Sequence, residues 1–387
     1  MKYFVIAGEA SGDIHAARLI KALRTADDKA EFKFFGGDFM ERACGMKPVV
    51  HYKDMAYMGF VEVIRHLGTI MGFLKTANGI IDNWRPDAVI LVDYPSFNLK
   101  VAKHAHSAGV PVFYYISPKV WAWKEYRVKQ IKKYVTELYS ILPFETDFFA
   151  RHDYRVEYVG NPTVNEIQEV RSGFRSREQF YVDNALHADK RLIAVLPGSR
   201  KREIQENLRE MLSAVSRFPD CQAVVGGAPG LDAEFYDTVF EQLGYAANKP
   251  TVLFGKSFEL VHHADAALVT SGTATLETAI LNTPQVVCYR MGGSKLVYRF
   301  YSRLLKVKYV SLPNLIADAP VVKELLLHFC NADNIAAELS LLLDRNSECF
   351  RSVKTGYEEI ARRLTNAQSA ETAAERILKR LADSGDK

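Results

Sequence analysis

A chain of 387 residues, 48% hydrophobic and 25% charged, has the composition of a soluble globular protein and the length of two ordinary domains. Its formal net charge of +4 is too small to point to nucleic acid. Five scattered cysteines, with no CxxC pair, argue for a reducing compartment and against a disulfide framework or a zinc site.

The opening Met-Lys-Tyr-Phe-Val-Ile-Ala is broken at once by Gly8-Glu9, so it reads as a first strand over Tyr3 to Ala7 and not as a signal peptide. A Gly-rich turn, Gly8 to Asp13, then leads into a helix from Ile14 to about Arg24. This is the opening unit of a doubly wound sheet, without a GxGxxG fingerprint. Glu31 to Phe35 is a second strand. Met58 to Leu74 reads as one very apolar helix, with Val61, Ile64, Leu67 and Met71 on its broad apolar arc. Such a helix is core, a subunit interface, or a face for membrane or acyl chains.

Pro86 to Val92 is a buried parallel strand by its unbroken apolar run. Asp93 and Asn98 lie just beyond its carboxyl end, where open α/β sheets place ligands. A carboxylate there, among aromatics, suits a general base; an N-cap is the plain alternative. Strands follow at Val110 to Ile116, Glu137 to Leu142 and Arg155 to Val159. Between the first two, Arg127, Lys129, Lys132 and Lys133 form a basic face beside two tryptophans, suited to phosphate-bearing partners. Gly160-Asn161-Pro162 marks a domain boundary.

Thr163 to Lys190 reads as helical and polar. A new α/β unit opens with the strand Leu192 to Leu196 and the turn Pro197 to Arg202. Ser199 and Arg200 there suggest an anion site, because three cations at a helix start oppose the dipole unless an anion is present. Further strands are expected at Gln222 to Gly227, Thr251 to Phe254, Ala264 to Val269 and Pro284 to Tyr289, the last followed by Arg290. After the third, Ser271, Gly272 and Thr273 place backbone N–H groups and hydroxyls at a helix start, as a diphosphate needs. Glu277 lies one turn behind Thr273, where it suits ribose hydroxyls. Leu312 to Ile316 reads as a loop carrying Asn314, and the chain from Pro320 onward reads as helical. The histidines form no metal set, and no Walker, GxSxG or HExxH motif occurs.

Two strand-turn-helix halves in series suggest two Rossmann-like domains facing a cleft, suited to group transfer from a nucleotide-activated donor. The stretches AGEASGD (7–13), MGFVEV (58–63), Asp93-x-Pro-x-Phe-Asn98, ISPKVWAWKEYRVKQIKK (116–133), ILPFE (141–145), VGNP (159–162), LPGSR (196–200), SGTATLE (271–277) and SLPNLI (311–316) resemble the lipid-A-disaccharide synthase family. The resemblance covers both halves in order.

It implies an inverting glycosyltransferase of the GT-B fold, α/β throughout. The implied domains are 1–162 facing acceptor and membrane, 163–345 binding the UDP-sugar, and a helical 346–387 that packs back or exchanges in a dimer. The implied reaction joins UDP-2,3-diacylglucosamine to 2,3-diacylglucosamine 1-phosphate with no metal or other cofactor. Asp93 is the implied base, with Glu9 still a candidate. Arg200 and Ser271 to Thr273 would hold the diphosphate and Glu277 the ribose, while Arg290 and Asn314 would complete the donor site. Glu9, Ser11 and Gly12 would shape the cleft wall. The partners expected are these two lipids, the inner-membrane surface on its cytoplasmic side, and a second copy of the chain, but no nucleic acid. Rival readings are another UDP-sugar enzyme, such as a UDP-N-acetylglucosamine 2-epimerase, and a non-catalytic nucleotide-sugar or lipid-binding protein.

Overall fold

The computed structural model describes residues 1–55, 67–290, 308–365 and 367–385. The chain divides into two units, one of Met1–Pro162 with Asn366–Lys387, the other of Thr163–Thr365.

In the first unit, β1 (Lys2–Ala7), β2 (Glu31–Gly36), β3 (Val50–His51), β4 (Ala88–Val92), β5 (Val112–Tyr115), β6 (Glu137–Ser140) and β7 (Glu157–Tyr158) form one parallel sheet. Its order is β3-β2-β1-β4-β5-β6-β7. The described helices between them are α1 (Ala10–Ala26), α2 (Asp38–Cys44), α3 (Tyr52–Met55), α4 (Leu67–Trp84), α5 (Pro95–Ser107), α6 (Val120–Trp123), α7 (Val128–Tyr134) and α8 (Phe144–Ala150). Alternate residues of β1 serve opposite faces, as the strand period requires. Phe4 and Ile6 pack with Ala77 and Ile81 of α4, while Tyr3 and Val5 pack with Ala16, Ile20 and Leu23 of α1. Burial on both faces removes the polar alternation from β1 and β4, which is why both read as continuous apolar runs.

The second unit begins with α9 (Pro162–Arg171) and α10 (Arg177–Asp183). Its parallel sheet holds β8 (Arg191–Leu196), β9 (Cys221–Gly227), β10 (Thr251–Phe254), β11 (Ala266–Thr270), β12 (Gln285–Tyr289) and β13 (Lys323–Leu326) in the order β10-β9-β8-β11-β12-β13. Its described helices are α11 (Lys201–Val215), α12 (Ala233–Gln242), α13 (Ser257–His263), α14 (Thr273–Ile280), α15 (Leu312–Ala317), α16 (Ala332–Leu343) and α17 (Glu348–Leu364). Helix α18 (Ser369–Gly385) belongs to the first unit, where Ala373, Ala374 and Ile377 join the α1 side of the core. Burial of the Ile377 side chain contributes ~1.5–3 kcal/mol and each alanine methyl roughly 0.8 kcal/mol.

Several local expectations are corrected. Helix α1 starts at Ala10, four residues before the Ile14 expected, so Ser11 and Gly12 are helical. Leu312 to Ile316 is helix α15, with Pro313 tolerated in a first turn that needs no N–H from it. The chain after Pro320 is not all helical, because Lys323–Leu326 is strand β13, which among the described residues pairs with β12 alone at the edge of the sheet. An edge strand buries little, and of its four residues only Leu325 is buried, so no alternation marks it. The 346–387 segment divides near Thr365, with α17 in the second unit and α18 in the first. Met58, Val61 and Ile64 lie outside the described residues. Helix α4 continues ten residues past Leu74, and Leu74 is 7% exposed in the core, so it does not face outward; Met71 is 58% exposed.

Candidate functional site

Both sheets reverse direction at one point. In the first, β2 and β3 extend to one side of β1 and β4 begins on the other; in the second, β9 and β10 extend to one side of β8 and β11 begins on the other. Ligands of open α/β sheets bind beyond the carboxyl ends of the strands at such a switch point. Glu9 follows β1 and Asp93 follows β4, while Ser199 and Arg200 follow β8 and Ser271 to Thr273 follow β11. Every one of these loops is at a switch point.

In the first unit the register Ala7↔Val92 brings the two loops side by side. A Cβ at Gly8 would fall 2.4 Å from the Tyr94 ring, so glycine is what lets the two loops close together. Asp93 and Tyr94 are both left-handed, with φ 43 and 47. Non-glycine residues reach that region only under outside constraint, at ~1–3 kcal/mol each. The constraint is visible: Asn98 Nδ2 and the Tyr114 hydroxyl donate to the Asp93 carbonyl at 2.8 and 2.5 Å, and the Tyr94 hydroxyl donates to the Met55 carbonyl at 2.9 Å. The Asp93 carboxyl is partly buried, and burial pushes its pKa up; Lys119 and the Tyr94 N–H pull the other way. Glu9 is partly buried at the N-cap of α1, Ser11 is exposed on its first turn, and Gly12 is buried between Ala7 and Val92. Asn98 does not line open space. It is fully buried and its amide also donates to the Val92 carbonyl, so it holds the Asp93 loop from behind.

A second carboxyl of this unit went unassigned from sequence. Glu145 is 1% exposed, and burial pushes its pKa up to about 7. It accepts from Trp121 Nε1 at 2.9 Å and from the Ser140 hydroxyl, and Lys119 acts on it electrostatically as on Asp93. It therefore ties the loop after β5 to the end of β6. The motifs at 116–133 and 141–145 carry both partners, but their spacing gives no sign that they meet.

In the second unit, β11 ends at Thr270, Ser271 follows it, and Gly272 is the N-cap of α14 with no side-chain cap. Gly272 and Thr273 are exposed. Ser271 Oγ donates to the Val310 carbonyl at 3.3 Å. Glu277, partly buried, has its pKa pushed up to about 7 by burial, with Glu166 adding to the rise. The turn after β8 is left-handed at Gly198, with φ 120. Its helix start does not lack an anion. The Glu203 carboxylate accepts the Ser199 N–H at 3.0 Å and Glu206 pairs with Arg202 at 2.9 Å, so the helix supplies its own negative charge. The three cations alone are no proof of a bound anion. Ser199 and Arg200 remain exposed.

Two expected donor-site residues are engaged by the fold: Asn314 is buried, while Arg290 is tied to its neighbours with its side chain 40% exposed. Arg290 Nη1 donates to Glu210 at 2.5 Å and to the Cys330 carbonyl at 3.1 Å, and its backbone N–H donates to Asn207 Oδ1. Asn314, 1% exposed, uses both ends of its amide on Val322 and also donates to Glu324. Sequence reading also missed a cavity of about 550 Å³ beyond β9 and β10, lined by Gly227, Pro229, Gly230, Asp232 and Phe254.

A family model described as lipid-A-disaccharide synthetase matches residues 3–378. The lipid-A-disaccharide synthase of Acidobacterium capsulatum is 37% identical, across 96% of this chain and 93% of that one. That of Koribacter versatilis is 35% identical across 98% of each. Among solved structures, UDP-GlcNAc 2-epimerase from Neisseria meningitidis bound to UDP-GlcNAc superposes with a TM-score of 0.64 at 13% identity, covering 99% of this chain and 100% of that one. The S. aureus MnaA–UDP co-structure gives 0.66 at 14%, covering 100% and 97%. At such identity these two speak for the fold alone, a pair of Rossmann-like domains of GT-B type.

Proposed function

This chain belongs to the lipid-A-disaccharide synthase family, glycosyltransferases of lipid A biosynthesis, and from that premise we propose its reaction and the residues that carry it. The donor is UDP-2,3-diacylglucosamine and the acceptor is 2,3-diacylglucosamine 1-phosphate. The acceptor 6-hydroxyl oxygen attacks the donor's anomeric carbon as the bond to UDP breaks, with inversion. UDP leaves with the bonding pair, and a β-1,6-linked disaccharide 1-phosphate results.

Asp93 takes the proton from the attacking hydroxyl. The observation that carries this is its backbone: two successive left-handed residues at a switch point, pinned by Asn98 and Tyr114, aim a carboxyl whose pKa burial has raised. A raised pKa makes the ionised form a stronger base, and Lys119 acts against the rise by favouring the ionised form. Glu9, on the adjoining loop, is the alternative base. In the second unit, the Ser271 to Thr273 turn and Arg200 hold the diphosphate and stabilise the leaving charge without need of a metal. Glu277 meets the ribose, and the cavity beyond β9 and β10 has room for the base.

Both substrates are lipids, so the enzyme works peripherally at the cytoplasmic face of the inner membrane, as a homodimer. Among the described residues no helix is long and apolar enough to cross a membrane.

The test is UDP release from the donor with EDTA present, with and without acceptor, for wild type and Asp93→Asn. Acceptor-dependent release that collapses in the variant supports the reading. Equal release by both proteins moves the base to Glu9. Conversion of donor without acceptor favours an epimerase, and UDP binding with no turnover favours a binding protein.

A further inference from the structure

Two helices of the second unit, α14 and α15, pack side by side and begin near one another. Their amino ends are treated differently. That of α14 closes on Gly272 without a side-chain cap. That of α15 is filled by a carboxylate from outside the helix. Glu324, on edge strand β13, accepts the Val310 N–H at 3.1 Å, the Ser311 N–H at 2.9 Å, the Ser311 hydroxyl at 2.6 Å and the Asn314 amide at 2.9 Å. Four donors on one carboxylate tie residues 310–314 to the sheet. Asn314 adds a second tie through its paired bonds with the Val322 N–H and carbonyl at 2.8 and 2.9 Å.

The held segment reaches the nucleotide turn. The Val310 residue whose N–H goes to Glu324 presents its carbonyl to Ser271 Oγ at 3.3 Å. The sheet register supports the alignment: Val269 pairs with Val287, and Val287 pairs with Glu324. The carboxylate therefore stands in the same row of the sheet as the residue two before Ser271.

We propose that Glu324 is the positioning residue of the nucleotide site: it plugs the amino end of α15 and, through Val310, sets the Ser271 to Thr273 turn so that the amino end of α14 receives the diphosphate. The proposal rests on the reading of that turn as the diphosphate site. Glu324 touches no substrate; it acts through the backbone it holds. A carboxylate suits the task because it accepts from several donors at once, and its charge favours a helix amino end. A glutamine retains one acceptor oxygen but turns an NH2 group toward backbone N–H groups, leaving buried donors without partners.

The experiment uses the full chain, as wild type, Glu324→Gln and Ser311→Ala. Hydrogen exchange is followed in peptides covering 308–317, UDP affinity by titration calorimetry, and turnover by UDP release. For Glu324→Gln we expect faster exchange confined to that segment, a UDP Kd and donor KM raised ~10-fold, and kcat at saturating donor within ~2-fold. Ser311→Ala removes one hydroxyl donor and adds neither bulk nor charge; its expected loss of UDP affinity is ~2–3-fold. A loosened 308–317 segment with unchanged UDP affinity overturns the role of Glu324 while leaving the nucleotide site in place. Should Glu324→Gln fail to fold, Ser311→Ala with unaltered exchange and unaltered affinity overturns it equally. Wild type that binds no UDP removes the nucleotide reading and the proposal together.

Discussion

The Tyr114 hydroxyl on β5 donates to the Asp93 carbonyl beyond β4 across 2.5 Å, so one strand fixes the backbone of the candidate base on the next. Asn98 donates to the same carbonyl from α5, and together they hold a backbone that is otherwise strained. Tyr114→Phe removes one of these two bonds without leaving a cavity. We expect a loss of ~1–2 kcal/mol in stability and a fall of about tenfold in kcat, with donor KM nearly unchanged. Steady-state kinetics with a denaturant melt checks this. An unchanged kcat in a destabilised protein means the bond holds the fold only.

Glu145 makes stability depend on pH in a specified direction. Its folded pKa, about 7, lies above its ordinary 4.5, so the folded chain holds the proton more tightly than the unfolded chain. The contribution is fully present below pH 4.5, falls as pH rises, and is gone above about pH 7. The size is ~3 kcal/mol for a fully buried carboxyl. Urea melts at pH 5 and pH 8 are expected to differ less for Glu145→Gln than for wild type, by an amount of this order. An equal pH dependence in both proteins removes Glu145 as its source.

Glu203 folds back on its own helix start and accepts the Ser199 N–H, a donor that the proposed diphosphate would need. Glu203→Gln withdraws the negative charge. The helix loses ~0.5–1 kcal/mol of capping, and UDP is expected to bind ~3–10-fold more tightly. Calorimetry reads the affinity directly. Weaker binding in the variant means that Glu203 shapes the turn for UDP instead of competing with it.

Met71 and Leu74 lie three apart on α4 but differ in exposure, 58% against 7%. Leu74→Asp buries an unpaired carboxyl and is expected to cost more than ~3 kcal/mol. Met71→Asp is expected to leave the melting temperature within ~2 °C and to weaken sedimentation with anionic vesicles several-fold. Unchanged vesicle binding by Met71→Asp takes this face of α4 out of the membrane contact.

Much of the fold was legible because its strongest signals are local. Tyr3 to Ala7, Pro86 to Val92 and Leu192 to Leu196 stand out as apolar runs, since both faces of a parallel strand are covered. The Asp93 loop and the Ser271 turn were legible for the same reason: each follows a buried strand end directly. Edge strand β13 was not legible, because only Leu325 of its four residues is buried. Helix α15 was hidden by Pro313, which breaks a helix elsewhere but not in its first turn.

The sequence by itself determined the two doubly wound halves, the loops at their strand ends and the family, because apolar periodicity, turn residues and motif order are properties of neighbours along the chain. The tertiary structure alone decided which side chains are free to act. Asn98 and Asn314 looked like ligands in sequence and are held inside the fold; Arg290 is tied to Glu210 yet keeps its side chain 40% exposed; Arg200 looked unopposed and begins a helix with its own carboxylates; Glu145 and Glu324 carried no mark and organise loops. The reason is physical. A polar side chain's role depends on what reaches it within about 3 Å, and in a parallel sheet those partners arrive from strands far apart in sequence.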